Sequence, residues 1–377
     1  MKLKICLALT LVTLISLTSC IRDEAANAEC DITGVDSLWL NELKASISLI
    51  GEPIVKNSKV NFTIKDSTDV SAIAPVFYLT PGATISPANG TVRNFTTPQV
   101  YTIYSEDGNW SKNYIVSFKK PAAIHEFHFE HFALDERGQY YEYYEVGDDP
   151  EDKFDYWDSG NAGYALTKAS NHPEEFPTCP WASGYIGNGV KLATLSTGTL
   201  GKWAGLPIAA GNLFIGEFKV ANAMGKPREA TRFGRQLVTD RPLRLEGWYK
   251  YTAGPDYQDI KEVIHPELHD TCDIYAVLYE VDPHKFVALN GDDVLSSARI
   301  VSLARIDDPG EPQEWTHFSE PFKPCNGKEF DYERLANDGY AIAIVATSSR
   351  QGAYFEGAIG STLYIDEISI VWENDEQ

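Results

Sequence analysis

The chain has 377 residues, 43% of them hydrophobic, and a formal net charge of -22. That length allows two domains with a substantial core, and so acidic a surface repels phosphate backbones, which excludes nucleic acid as a partner. Six cysteines without a Cys-x-x-Cys pair argue against a zinc site, and an aromatic-rich, methionine-poor composition favours strands over helices.

Lys2 and Lys4 precede an apolar run from Ile5 to Leu17, followed by Thr18, Ser19 and Cys20. Charged, then apolar, then small is the order of a secretory signal. The run is about 13 residues, short of the roughly 20 that span a bilayer. Leu17-Thr18-Ser19-Cys20 resembles the lipobox of bacterial lipoproteins. The resemblance implies that residues 1–19 are removed, that the thiol of Cys20 is lipidated, and that the lipid supplies a membrane partner. Ile21 then points to the outer membrane, and Asp23-Glu24 resembles the surface-export tag of Bacteroidetes lipoproteins. Residues 20–37 are polar and aperiodic, as a tether would be. In an oxidising compartment, disulfides among Cys30, Cys179, Cys272 and Cys325 remain open, with no pairing specified.

From residue 38 to residue 120 the pattern is short strands separated by turns. Val60 to Ile64 alternates with period two, Pro87-Ala88-Asn89-Gly90 reads as a turn, and Glu106-Asp107-Gly108-Asn109 joins two strand-like runs as a hairpin. About 80 residues of this kind predict a small β-sandwich. Phe77 to Pro87 and Tyr101 to Gly108 resemble the immunoglobulin-like modules of Bacteroidetes surface lipoproteins, which implies a spacer.

Lys119-Lys120-Pro121-Ala122-Ala123 reads as a junction, and residues 123–375 again read as strands, clearest at Leu213–Phe218, Leu243–Tyr251, Ile274–Val281, Tyr340–Thr347 and Leu363–Trp372. With no βα alternation, the fold class expected is all-β: an immunoglobulin-like β-sandwich followed by a larger jelly-roll β-sandwich. Four ordered motifs, Gly211 to Phe218, Arg241 to Tyr251, Asp273 to Tyr279 and Phe355 to Asp366, resemble the putative carbohydrate metabolism domain family of Bacteroidetes lipoproteins. That resemblance implies a polysaccharide or glycan partner and brings no catalytic set with it.

Strand alternation places Leu243, Leu245, Tyr249 and Tyr251 on one face and Arg244, Glu246, Trp248 and Lys250 on the other. An indole on a polar sheet face suits a pyranose ring, with flanking carboxylates and amides for its hydroxyls; the alternative is an indole that only covers the outer surface. Trp157 and Asn161, in a Gly-, Asn- and Ser-containing loop, form a second candidate, against a loop whose Trp plugs the end of the sandwich. Trp181 and Trp203 have weaker claims. For a glycoside hydrolase, Glu217, Glu246 and Glu356 are the carboxylates within the motifs, and two would have to face each other. Asp366 alternates toward an apolar face and so needs a cation or hydrogen-bond donors. Resemblance to jelly-roll carbohydrate-binding modules implies a structural calcium held by Asp366 and Glu130. His125, His128 and His131 do not share a strand face and are expected to be satisfied or exposed. The function expected is non-catalytic glycan binding, with a jelly-roll hydrolase or an adhesin-like protein as alternatives.

Overall fold

The computed structural model describes residues 27–376 except 48, 57, 65–67, 120–125, 147–152, 168–171, 235 and 284. Cys20, the residue expected to carry the lipid, His125 and most of the junction read at residues 119–123 lie outside the described residues.

The N-terminal unit contains α1 (Ser37–Ser46), β1 (Leu49–Lys56), β2 (Lys59–Ile64), β3 (Thr84–Ser86), β4 (Gln99–Tyr104) and β5 (Ser111–Lys119). The strands form one sheet in the order β1-β2-β5-β4-β3, with β2 and β5 parallel. Period-two alternation in β2 buries Val60, Phe62 and Ile64, and the predicted 106–109 turn joins β4 to β5 with Tyr104 opposite Ser111. Sequence reading expected only strands here; α1 is the correction. Asp36 caps it by accepting from the backbone N–H groups of Leu38 and Trp39, and Leu40 and Leu43 pack on the sheet. Part of the second layer is therefore helical, not a second sheet.

The larger unit contributes β6 (Thr178–Trp181), β7 (Gly189–Ala193), β8 (Asn212–Phe218), β9 (Pro242–Thr252), β10 (Asp273–Glu280), β11 (Ile300–Arg305), β12 (Thr316–Pro321), β13 (Tyr340–Thr347) and β14 (Thr362–Trp372). One sheet runs β6-β7-β14-β9-β12, with Glu126–Phe127 joined to β14 as its sixth strand. The nine-stranded sheet has β8-β13-β10-β11 at its centre. Leu245, Tyr249, Leu363 and Ile365 from the first sheet meet Leu213, Ile274, Ala276 and Ile344 from the second in one core. Phe214, Tyr275, Val277 and Val345 point to the opposite side of the nine-stranded sheet, into a second apolar layer beneath loops. Double-sided burial explains why β10 and β13 read as continuous apolar runs.

The two units meet through lysines of the first and carboxylates of the second. Lys56 lies 3.5 Å from Asp158 and 3.8 Å from Glu142, Lys59 3.3 Å from Asp155, and Lys112 3.0 Å from Glu136. The four described cysteines are free thiols, so the disulfides left open by the sequence are not formed among them.

Candidate functional site

The alternation expected in β9 is observed from Arg244 on: Leu245, Tyr249 and Tyr251 are buried, while Arg244, Glu246, Trp248 and Lys250 are half-buried on the outer face; Leu243, expected inside, is half-buried where the register with β14 shifts. Pairing with β12 sets Ser319 opposite Glu246 and His317 opposite Trp248; pairing with β14 sets Tyr364 opposite Lys250. Tyr185 stacks on Trp248 with ring centres 3.7 Å apart and planes 10° apart, and His317 lies against the indole at 5.2 Å. The Lys250 ammonium stands 4.8 Å from Trp315 and 5.0 Å from Tyr364, and Tyr364 packs on Trp181 at 4.8 Å. A band of aromatic rings thus crosses the outer face of the six-stranded sheet. Trp248 itself is capped by Tyr185, which is 43% exposed.

Beside the indole is a cavity of ≈ 180 Å³ lined by Glu126, Glu246, Trp248, His317, Glu367 and Ser369. Glu246 accepts from the Ser319 hydroxyl at 2.7 Å and from Nε of Arg244 at 3.0 Å. Partial burial pulls its carboxyl upward, but these two donors outweigh it and hold the group below the usual carboxylate range. An ionised carboxylate there can accept hydrogen bonds from sugar hydroxyls.

Tyr185 owes its position to the two carboxylates expected to hold calcium. Asp366 Oδ2 accepts from the backbone N–H of Ile186 at 2.9 Å and its Oδ1 from that of Glu367. Glu130 accepts from the backbone N–H and side-chain amide of Asn188, at 2.9 and 2.7 Å. Gly187, at φ +59°, leaves no room for a Cβ, which would stand 1.9 Å from Glu130 Oε1. Both carboxylates therefore grip the loop between β6 and β7 that carries Tyr185. Because N–H dipoles already point at all four oxygens, this donor set does not fit a cation, and among the described residues no three acidic, histidine or cysteine side chains cluster for one. Chelator treatment is expected to leave the melting temperature unchanged; a fall reversed by calcium would contradict the N–H clamp.

Strict alternation through β14 fails at a bulge. Glu367 has φ 50°, and the register with β9 shifts between Glu246 and Trp248. Leu363 and Ile365 point inward before it, Ile368 and Ile370 after it, so Tyr364 and the buried Asp366 face outward, contrary to the simple parity count.

The Trp157 and Asn161 candidates are corrected. Trp157 is 2% exposed, packed between Phe127 and Phe129, and its Nε1–H donates to Glu145 at 3.2 Å. Asn161 is wholly buried and ties down Thr178 through both its amide and its carbonyl. Neither can reach a ligand. The three hydrolase candidates are not brought together: Glu246 stands on the six-stranded sheet, Glu217 on β8 of the nine-stranded sheet near the junction with the N-terminal unit, and Glu356 beside Tyr257. Sequence reading missed the Glu246 neighbours Glu126 and Glu367, which only the bulge and the short Glu126–Phe127 strand bring alongside. His128 bonds Glu367 at 2.8 Å, and His131 stacks on Tyr144.

Burial raises two carboxyls near this face: Glu145 to about 7, partly offset by the Trp157 N–H, and Asp366 to about 6, against its N–H donors. A carboxyl that binds its proton more tightly when folded favours the folded state at low pH, and that advantage is lost as pH rises from the unfolded value through the folded one. Stability is thus expected to fall by roughly 2–4 kcal/mol between pH 5 and pH 7.5, and Glu145→Gln should flatten that slope in thermal melts.

Residues 128–371 match the family described as putative carbohydrate metabolism domain, and residues 45–117 match that described as SGBP, N-terminal. A crystal structure described as a putative glycoside hydrolase from Bacteroides thetaiotaomicron VPI-5482 is 41% identical, with a TM-score of 0.84, covering 93% of this chain and 99% of its own. A second, described as a putative glycoside hydrolase from Bacteroides vulgatus ATCC 8482, is 37% identical with a TM-score of 0.61, covering 66% of this chain and 98% of its own. No curated protein matches the chain. On a family match over most of its length and a relative aligned from end to end, the chain belongs to the putative carbohydrate metabolism domain family.

Proposed function

We propose that the protein is a surface lipoprotein, anchored through Cys20, that binds polysaccharide on the outer face of its six-stranded sheet without cleaving it. The observation that carries the reading is Tyr185 stacked on Trp248 beside the ionised Glu246. Sugar C–H groups pack on the open tyrosine face, and the carboxylate accepts from hydroxyls over the adjoining cavity. The match of residues 45–117 to the SGBP N-terminal family supports a surface glycan-binding role, with the N-terminal unit as spacer. The test is a polysaccharide panel scored for both retention and released reducing ends: retention without release is expected.

Glycoside hydrolysis is the second reading, favoured by the convergence of Glu126, Glu246 and Glu367 on one cavity and by the descriptions of the two relatives. It requires one carboxyl to donate a proton and a second to attack or activate water. Glu246, held below the usual range, suits only the second role. Reducing ends that appear with the wild type and vanish in Glu246→Gln would establish this reading in place of the first.

A further inference from the structure

Two residues beyond Trp248 on the same face of β9, the outer surface of the six-stranded sheet changes sign. Lys191 on β7 and Lys250 on β9 are the direct cross-strand neighbours of Tyr364 on β14, one on each side. Adjacent strands lie about 4.8 Å apart, so the two lysines flank one tyrosine across about 10 Å of sheet. The rings of this region remain open to contact: Tyr364, Trp181 and Trp315 are half-buried, as are both lysines.

Neither lysine is spent on a carboxylate. The chain has 54 acidic residues against 32 lysines and arginines, and Lys44, Lys56, Lys112 and Lys328 each pair with at least one of them. Among the described residues, no carboxylate pairs with Lys191 or Lys250. Glu174, at the β6 edge, bonds the Tyr141 hydroxyl instead, and Glu314, next to Trp315 in the chain, is exposed. Lys250 is held between the Trp315 and Tyr364 rings, which attract its charge without neutralising it. The Trp248 end is the reverse. Glu126, Glu246 and Glu367 line the cavity there, offset by the Arg244 guanidinium on Glu246, by His128 on Glu367 and by His317 in the wall. One sheet face thus carries carboxylates beside Trp248 and unpaired ammonium groups beside Tyr364.

We infer that the Tyr364 end is a subsite for an acidic sugar, one bearing a carboxylate or a sulfate ester, and that the glycan is a mixed polymer presenting such a residue beside neutral ones. The inference rests on the sheet-face reading above and names the class of glycan. The C–H face of the acidic sugar packs on Tyr364, and Lys191 and Lys250 donate charge-assisted hydrogen bonds to its anionic oxygens. Its neighbours along the polymer are neutral, because the three carboxylates beside Trp248 reject a second anion. The same contrast separates this ligand from nucleic acid. A duplex carries one charge per about 1.7 Å of axis and would lay several over the carboxylate end, whereas an isolated acidic sugar brings one. The net charge of -22 acts at long range, is screened beyond about 8 Å at physiological salt, and leaves the outcome to the lysines in contact.

The test is affinity electrophoresis of the full chain on mixed acidic polysaccharides, each beside its own neutralised derivative: a glucuronoxylan and its carboxyl-reduced form, and a partly sulfated galactan and its desulfated form. Polygalacturonate serves as the fully anionic control. At least one mixed polymer is expected to be retained at least tenfold more tightly than its derivative, and the arm in which this happens tells carboxylate from sulfate. Lys250→Met, which keeps an apolar stem between the two rings, and Lys191→Met should each cut that ratio at least threefold, and added salt should lower it in the wild type. Trp248→Ala should weaken polymer and derivative together and preserve the ratio. Equal retention of every polymer and its derivative, a ratio unmoved in both lysine variants, or tightest binding to polygalacturonate would overturn the inference and leave the sheet-face reading standing. No retention of any polymer, acidic or neutral, would remove both.

Discussion

Trp248→Ala is expected to weaken polysaccharide binding about 30-fold or more, the loss of roughly 2 kcal/mol typical of a central aromatic anchor. The indole supports Tyr185 on one side and walls the carboxylate cavity on the other, so its removal undoes both contacts. Tyr185→Ala should cost less, about three- to tenfold, because it uncovers the indole face beneath and leaves a substitute platform. The order of the two losses is the diagnostic result. If Tyr185→Ala were the more damaging, the indole would be a mere backing for the tyrosine. Affinity electrophoresis or calorimetry with both variants measures it, and unchanged melting temperatures would confine each loss to the surface.

Arg305→Ala should destabilise the protein by about 3–5 kcal/mol, a larger effect than any other single replacement considered. Asp273 is almost fully buried on the central strand β10, and Arg305 on β11 meets it through two bonds of 2.8 and 2.7 Å. Arg350 lies farther off, with Nε 3.7 Å from Asp273, and donates elsewhere, so it only partly compensates. Removing the guanidinium leaves a carboxylate in a setting where burial already raises its proton affinity. Adding Asp273→Asn should recover most of the loss, since the penalty comes from the orphaned charge. Denaturant unfolding of the two variants checks both statements, and a double variant no better than Arg305→Ala would assign the loss to packing.

The strands of the larger unit were legible because burial on one or both faces writes itself into period-two or continuous apolar patterns. That is why β9 gave the right face for Arg244, Glu246, Trp248 and Lys250 from sequence alone. Three features were not legible, each for a definite reason. The helix α1 is ten residues long with two buried leucines, too short for its period to stand out. Bulging at Glu367 resets the parity of β14, and a bulge leaves no mark in the pattern except the residues it misplaces. Trp157 and Trp248 differ in burial although both sit among polar neighbours, because exposure depends on which strands lie alongside. Asp366 and Glu130, expected as calcium ligands, each accept from N–H donors of the loop between β6 and β7, which no sequence pattern announces.

Binding by the wild type, Trp248→Ala and Trp203→Ala on one polysaccharide panel tests the central claim most directly. Trp203 is 86% exposed on a short helix away from the six-stranded sheet, so it controls for nonspecific stacking by an exposed indole. Loss of retention in Trp248→Ala alone, with no reducing ends released by any of the three, is the predicted result. Equal retention by Trp248→Ala and the wild type would contradict the sheet-face site.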